Sequence, residues 1–149
     1  MQTKTEPNKK LKISIDGKQY STRDDDQDGA ALVRLADRDP ARYDIAKVTA
    51  SGGLHVYRDG KVIDLKDGDK FITVVFGVEV NDMFVELDKR KQSGSSLKQA
   101  AIAAAVPIQA DFVLSEVLAN GEQQVIADDH EITVKYNDDF WAVPGDDNS

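Results

Sequence analysis

Length, composition and charge exclude several classes of protein. The chain has 149 residues, 40% of them hydrophobic and 31% charged, which is typical of a soluble globular protein and not of a disordered one. Its formal net charge of −8 would repel phosphate backbones, so a nucleic-acid partner is disfavoured. The chain contains no cysteine, which excludes disulfides and thiolate metal sites and is compatible with a reducing cytoplasm.

We expect a flexible segment at each end of the chain. Residues 1–10 carry charge and a proline but no apolar run, which is typical of neither a signal peptide nor a membrane span. Residues 145–149 are small and polar. The sequence therefore predicts a flexible arm at 1–10 and a flexible tail at 145–149.

The first predicted elements are a hairpin and a helix. Leu11, Ile13 and Ile15 alternate with polar residues, as in a strand with one face on a core. Asp16-Gly17 tolerates the positive φ of a two-residue turn, so a second strand is expected through residue 22. The apolar residues within 30–36 stand too close together for the alternation of a strand. They predict a short helix, which should end before Pro40.

Strands are expected over the rest of this segment. Residues 43–48, 54–56 and 62–63 form short apolar pieces, and 71–76 is a strongly apolar last strand. Asp59-Gly60 lies between the second and third pieces and predicts another hairpin.

A further hairpin, helix and strands are predicted beyond residue 80. Residues 84–88 alternate like the first strand, and Lys89-Arg90-Lys91 occupies the place of the hairpin turn. Ser96 and Gln99 have capping-box spacing, and an alanine-rich helix is expected at 97–105, before Pro107. Strands are then predicted at 112–117, 132–136 and 140–143, with a short apolar piece at 125–126.

One pattern occurs twice along these elements. A first copy from Tyr43 to Phe71 and a second from Phe112 to Phe140 keep the same residue character at seven positions, each 69 residues apart. The shared positions include an Asp two residues before the closing Phe, a polar match that chance would not usually preserve. The sequence therefore predicts two tandem α+β domains, at 11–77 and 78–144, each a mixed sheet of four or five strands packed on one helix.

Few residues carry catalytic or metal chemistry. His55 and His130 have no metal-ligand spacing and do not occupy matching places in the two copies. The acidic run 24–28 resembles the start of a calcium loop, but its twelfth position is Leu35 and not Glu, so a solvated loop and helix cap is favoured. No enzyme activity, metal or cofactor is expected.

The two neighbouring aromatic residues near the chain end are candidates for a partner contact. Trp141 is the only tryptophan and lies beside Phe140. In a strand, one of the pair would face the core and the other the surface, where an aromatic side chain could bind a partner.

The order of the elements resembles the β-grasp fold of ubiquitin-like proteins. More specifically, the segments KISIDGKQY at 12–20, YDI at 43–45 and DGDKF at 67–71 look like the bacterial multiubiquitin family. Weaker matches to these motifs follow in the second copy, at 112–114 and 137–140. The resemblance covers nearly the whole chain except the first ten and the last few residues, and it lies in the order and duplication of short motifs.

This resemblance implies a protein modifier with no active site of its own. An E1-like activating enzyme would adenylate its C-terminal carboxylate with ATP and pass it to an E2-like conjugating enzyme, which modifies target proteins. A processing peptidase is a further implied partner, and antiphage defence is the process that related systems suggest. No membrane partner is expected.

The C-terminus departs from the ubiquitin pattern, because a single Gly145 is followed by four more residues. A peptidase that removes residues 146–149 would expose Gly145. The alternatives are a cut beside Asn148 or a full-length end at Ser149. A tandem β-grasp adaptor that is never conjugated is the other open function; it would tolerate loss of everything after Val143, whereas a modifier would not.

Overall fold

The computed structural model describes residues 10–58 and 61–145. The chain divides into two compact units, Met1–Val75 and Phe76–Ser149. In its described part, each unit has one helix and a five-stranded sheet that mixes parallel and antiparallel pairs. The α+β class expected from the sequence is confirmed, and the arrangement is compatible with two tandem β-grasp-like domains.

The first unit places its first and last strands side by side in the sheet. The strand order is β2-β1-β7-β4-β5, and β3 and β6 form a separate two-stranded ladder. Strand β1 pairs with β7 in parallel, with Ile15 opposite Phe71. The elements are β1 (Leu11–Ile15), β2 (Lys18–Thr22), β3 (Asp26–Asp28), α1 (Gly29–Leu35), β4 (Tyr43–Val48), β5 (Leu54–Tyr57), β6 (Val62–Asp64) and β7 (Lys70–Val75).

Local sequence explains the first hairpin and helix. Asp16 and Gly17 have φ angles of 55° and 81°, so both turn positions adopt the positive φ that the sequence predicted. The Asp28 carboxylate accepts a hydrogen bond from the Ala31 backbone N–H at 2.8 Å and caps α1. Helix α1 packs on one sheet face, and the core consists of Ile13, Ile15, Leu32, Val33, Ile45, Ile63, Leu65 and Phe71.

The second unit repeats the arrangement. Its strand order is β12-β11-β14-β8-β9, with β10 and β13 as the separate ladder. Strand β8 pairs with β14 in parallel, with Val80 opposite Phe140. The elements are β8 (Gly77–Val80), β9 (Met83–Glu86), β10 (Lys91–Ser93), α2 (Gly94–Ala103), β11 (Val113–Val117), β12 (Gln123–Val125), β13 (Glu131–Thr133) and β14 (Asp139–Val143).

The first hairpin of this unit lies earlier than the sequence predicted. Its turn is Asn81-Asp82, with φ angles of 51° and 66°, and not Lys89-Arg90-Lys91. Phe76, expected at the end of the first domain, is fully buried in the core of the second unit. The prediction failed because it matched 84–88 to the first strand of the hairpin, whereas that strand is Gly77–Val80, which pairs with β9.

The predicted cap of α2 was also misplaced. Ser93 caps the helix: its hydroxyl accepts a hydrogen bond from the Ser96 N–H at 3.0 Å, and the Ser93 N–H donates to the Ser96 hydroxyl at 2.7 Å. Ser96 is therefore the third residue of the helix and not its cap. Gly94, at the first helical position, cannot be replaced without a clash, because a Cβ there would lie 2.4 Å from the Ala127 carbonyl oxygen.

The hairpin expected at Asp59-Gly60 does not form between its flanking strands. These two residues lie outside the described part of the chain, but β5 pairs with β4 and β6 pairs with β3. The apolar pieces on either side of the Asp-Gly signal thus enter different sheets.

The Asp that recurs in both copies has a structural role. Asp69 accepts a hydrogen bond from the Lys66 N–H at 2.9 Å, and Asp138 accepts one from the Lys135 N–H at 2.8 Å. Each carboxylate closes the turn that leads into the last strand of its unit. This local requirement explains why the polar residue recurs at the fixed spacing.

Candidate functional site

The candidate processing position lies directly beyond the last strand. β14 ends at Val143 and continues through Pro144 to the partly buried Gly145. A Cβ at Gly145 would lie 3.4 Å from the Asp111 carbonyl oxygen, in ordinary van der Waals contact with the backbone that precedes β11. Asn148 and Ser149, the other candidate ends, lie outside the described residues.

The two candidate aromatic contacts lie on opposite faces of β14. Phe140 is fully buried in the core of the second unit and offers no surface to a partner. Trp141 is partly exposed on the face turned away from that core, here called the outer face. Of the pair, only Trp141 has the position that a partner contact requires.

Trp141 lies among exposed valines because the strand register places them on the same face. Val113 lies opposite Val143, and Ser115 lies opposite both Trp141 and Val125. Val125 is 63% exposed, Val143 51% and Val113 39%. These four residues, Trp141, Val113, Val125 and Val143, form an apolar area across three strands, here called the Trp141 patch.

Three carboxylates lie beside the Trp141 patch on the outer face and its adjoining turn. Asp139 is two residues from Trp141 on the same strand and is the register partner of Glu79, while Asp82 lies in the neighbouring turn. One oxygen atom from each lies within 4.8 Å of the others. We call these residues the acidic cluster.

The acidic cluster is electrostatically unfavourable in the folded chain. Burial raises the pKa of Asp139 above its ordinary value, and the charge of Asp82 raises it further. The Asp139 Oδ1 atom is buried and has no hydrogen-bond partner in the described part of the protein. The oxygen spacing would allow a shared cation, but exposed acidic groups commonly cluster without one.

The corresponding region of the first unit has a different charge. By their register positions, Ser14, Gly17 and Lys70 stand where the second unit has Glu79, Asp82 and Asp139. A shallow depression of about 400 Å³ lies here, and its lining includes both Lys12 and Lys70. Asp67 and Asp69 also line this depression, so the place carries charges of both signs in the first unit, whereas the second unit has three carboxylates there.

A turn side chain holds the last strand of each unit in place. Asn81 accepts a hydrogen bond from the Ala142 N–H at 2.8 Å and donates one to its carbonyl oxygen at 3.0 Å. Asp16 accepts bonds from the Thr73 N–H at 2.8 Å and hydroxyl at 2.7 Å. Asn81 thereby fixes the strand that carries Trp141. Sequence reasoning missed it, although the Asn-Asp dipeptide was an available turn signal.

A buried lysine positions the segment that leads into β11. Lys98 is 4% exposed, and its Nζ atom donates to the carbonyl oxygens of Ala110 at 2.6 Å and Phe112 at 2.8 Å. It also lies 2.8 Å from a carboxylate oxygen of Asp128. In the sequence, Lys98 is an ordinary residue of a predicted helix, and nothing there indicated that its charge would be buried.

The remaining polar residues noted in the sequence show no convergent chemistry. The exposed His55 packs edge-on against Tyr57, with ring centres 4.7 Å apart, and His130 lies in a turn. In the acidic run, Asp28 caps α1 and Asp24 accepts a hydrogen bond from the Asp26 N–H. The expected helix cap is confirmed, but the expected loop is wrong for Asp26–Asp28, which form β3 and pair with β6.

Comparison with known proteins assigns no family. No family model matches the chain, and no curated protein matches it. In the described residues, neither α1 nor α2 combines the length and apolar character that crossing a bilayer requires.

Proposed function

We propose that this chain is a ubiquitin-like protein modifier of the bacterial multiubiquitin type, built from two tandem β-grasp domains. The observation that supports it best is the duplicated strand order, in which the last strand of each unit lies at the centre of its sheet. In the first unit β7 lies between β1 and β4, and in the second β14 lies between β8 and β11. In the second unit this central strand delivers the chain to Pro144 and Gly145. The first unit serves as a recognition body or spacer, since its last strand continues into the second unit.

The chemistry of such a modifier resides in its C-terminal carboxylate. A processing peptidase removes residues 146–149 and exposes the carboxylate of Gly145. This carboxylate attacks the α-phosphorus of ATP in an E1-like enzyme, forming an acyl adenylate and releasing pyrophosphate. A nucleophile of the activating enzyme displaces AMP from the carbonyl carbon, and the E2-like enzyme takes over the acyl group. A nucleophile of the target then attacks the same carbon and displaces the E2-like enzyme. Glycine suits the reacting end because it has no Cβ to obstruct a narrow channel.

The decisive experiment measures intact mass after co-expression with the peptidase, activating and conjugating enzymes that the resemblance implies. We expect loss of the mass of residues 146–149, followed by adducts of higher mass. A variant ending at Val143 and a Gly145→Val variant should form no adducts while retaining the circular dichroism of the parent chain. An unchanged mass without adducts would contradict the proposal.

A non-conjugated tandem adaptor is the second candidate, favoured by the exposed Trp141 patch. An adaptor works through its surfaces and needs no reactive end. The variant ending at Val143 therefore separates the two functions. An adaptor should still bind its partners fully without these residues, whereas a modifier should form no adducts.

A further inference from the structure

We propose that the outer face of the second unit binds a basic amphipathic helix of a partner protein, with the Trp141 patch receiving its apolar side chains and the acidic cluster its lysines or arginines. This inference goes beyond the proposed function, because it requires neither a processed tail nor conjugating enzymes. A modifier and an adaptor could both use it.

The size of the Trp141 patch suits a helix. Its residues lie on three neighbouring strands, and two inter-strand spacings amount to about 10 Å, close to the diameter of an α-helix with its side chains. Val143 and Trp141 are two residues apart on β14, a separation of roughly 7 Å. A helix lying along β14 can therefore place apolar residues one turn apart over both side chains.

The charge beside the patch defines the flank of that helix. Continuing along β14 by two more residues leads to Asp139, beside its register partner Glu79. Among the described residues, Glu79, Asp82 and Asp139 have no ion-pair partner in the chain. A cationic side chain would reduce their mutual repulsion, so a helix that is apolar over Trp141 and basic one turn further on complements the surface.

The first unit shows why this surface is specific to the second. Its corresponding positions carry Ile72 in place of Trp141 and Lys70 in place of Asp139. Asp44 also stands in place of Val113, so the apolar area is interrupted in the first unit. Beside it, the three carboxylates are replaced by Lys70 and by the uncharged Ser14 and Gly17. A basic helix should therefore distinguish the two outer faces, although the strand order is the same.

The sole tryptophan allows binding to be measured at the proposed surface. We would titrate the full chain with a synthetic helical peptide of about 15 residues that has leucines on one face and lysines along one flank. Trp141 emission should shift to shorter wavelength as the peptide covers the indole. An analogue with glutamate in place of every lysine should produce no shift.

Matched variants test where the peptide binds. Neutralising the acidic cluster with Glu79→Gln, Asp82→Asn and Asp139→Asn should weaken binding by about tenfold. Asp24→Asn, Asp25→Asn and Asp26→Asn remove the same total charge from the first unit and should change the affinity by less than about twofold. Equal weakening by both sets would overturn the proposal, because it would indicate attraction by net charge alone.

The apolar contact has its own control. Val143→Ser and Val125→Ser should each weaken binding, whereas Val56→Ser, at the first-unit position that corresponds to Val125, should not. These changes leave the acidic cluster intact, so they test the patch separately. No shift of Trp141 emission by the lysine peptide, or an equal shift by the glutamate peptide, would also overturn the proposal.

Discussion

The two units share a strand order but fill it with different chemistry. Counted from the caps, Leu32 and Leu97 occupy the same helix position and both are fully buried. The next position is the apolar Val33 in the first helix and the charged Lys98 in the second. The same fold therefore accepts a buried charge where backbone carbonyl oxygens surround it. The turns and the strand register determine this fold more than the identity of each core residue does.

Removing the buried charge should produce the largest difference. Lys98→Met retains most of the side-chain length but leaves the carbonyl oxygens of Ala110 and Phe112 without their charged donor. We expect a loss of about 3 kcal/mol in the unfolding free energy of the second unit. Denaturant unfolding followed by Trp141 fluorescence measures it. The control Asp128→Asn, at the exposed end of the ion pair, should cost less than about 1 kcal/mol; an unchanged Lys98→Met stability would show that the carbonyls find other partners.

The glycines at the first helical positions should respond with opposite signs. Gly94→Ala should destabilise the second unit by about 2 kcal/mol, because the new Cβ meets backbone atoms that cannot easily move. Gly29→Ala brings Cβ to 3.2 Å from the side-chain Cγ2 of Ile45, which can yield, and should gain up to about 1 kcal/mol in helix propensity. Thermal unfolding of the two variants checks this, and equal effects would contradict the geometric explanation.

The turn side chains should contribute similarly in both units. Asn81→Ala and Asp16→Ala each remove two hydrogen bonds to the last strand, and each should cost about 1 to 2 kcal/mol. Amide hydrogen exchange at Ala142 and Thr73 measures the loss locally. Faster exchange confined to the mutated unit is expected; unaltered protection would show that backbone pairing alone holds β14 or β7.

The smallest effect concerns the acidic cluster and depends on pH. The pKa of Asp139 is raised in the folded state, so the second unit gains stability as pH falls through the range in which folded Asp139 takes up its proton, and loses that contribution as pH rises again. Asp82→Asn should add about 0.5 kcal/mol at neutral pH, and this gain should fade on acidification. Unfolding at several pH values tests it, with the exposed Glu86→Gln as control; a gain independent of pH would contradict the charge explanation.

The comparison also explains which parts of the fold the sequence could predict. From Tyr43 and Phe112 onwards the two copies stay 69 residues apart, so the repeated pattern was visible there. Before the helices the separation is 65, as between the turns at Asp16 and Asn81. Helix α2 is three residues longer than α1, and the step from the helix end to the repeated aromatic residue is one residue longer, from Ala103 to Phe112 against Leu35 to Tyr43. These insertions moved the second hairpin out of register with the pattern.

The candidate site was only partly predictable for a different reason. Strand alternation suggested that Phe140 and Trp141 would face opposite sides, but it could not say which residue would face the core. The acidic cluster combines Glu79 and Asp139 from strands about 60 residues apart in sequence, which parallel pairing brings together. No local pattern carries that information, because it arises from the closing of the sheet.

The parallel pairing of first and last strands also determines how each unit would bear a pulling force. Tension applied at Leu11 and Val75 would slide β1 and β7 past each other, loading the bonds from Ser14 N–H to Asp69 and from Asp16 N–H to Phe71 together and not one after another. The second unit has the same arrangement between β8 and β14, with bonds to the carbonyl oxygens of Asp138 and Phe140. Tension across either unit would thus load its strands in shear, a geometry that resists extension better than the unzipping of a hairpin.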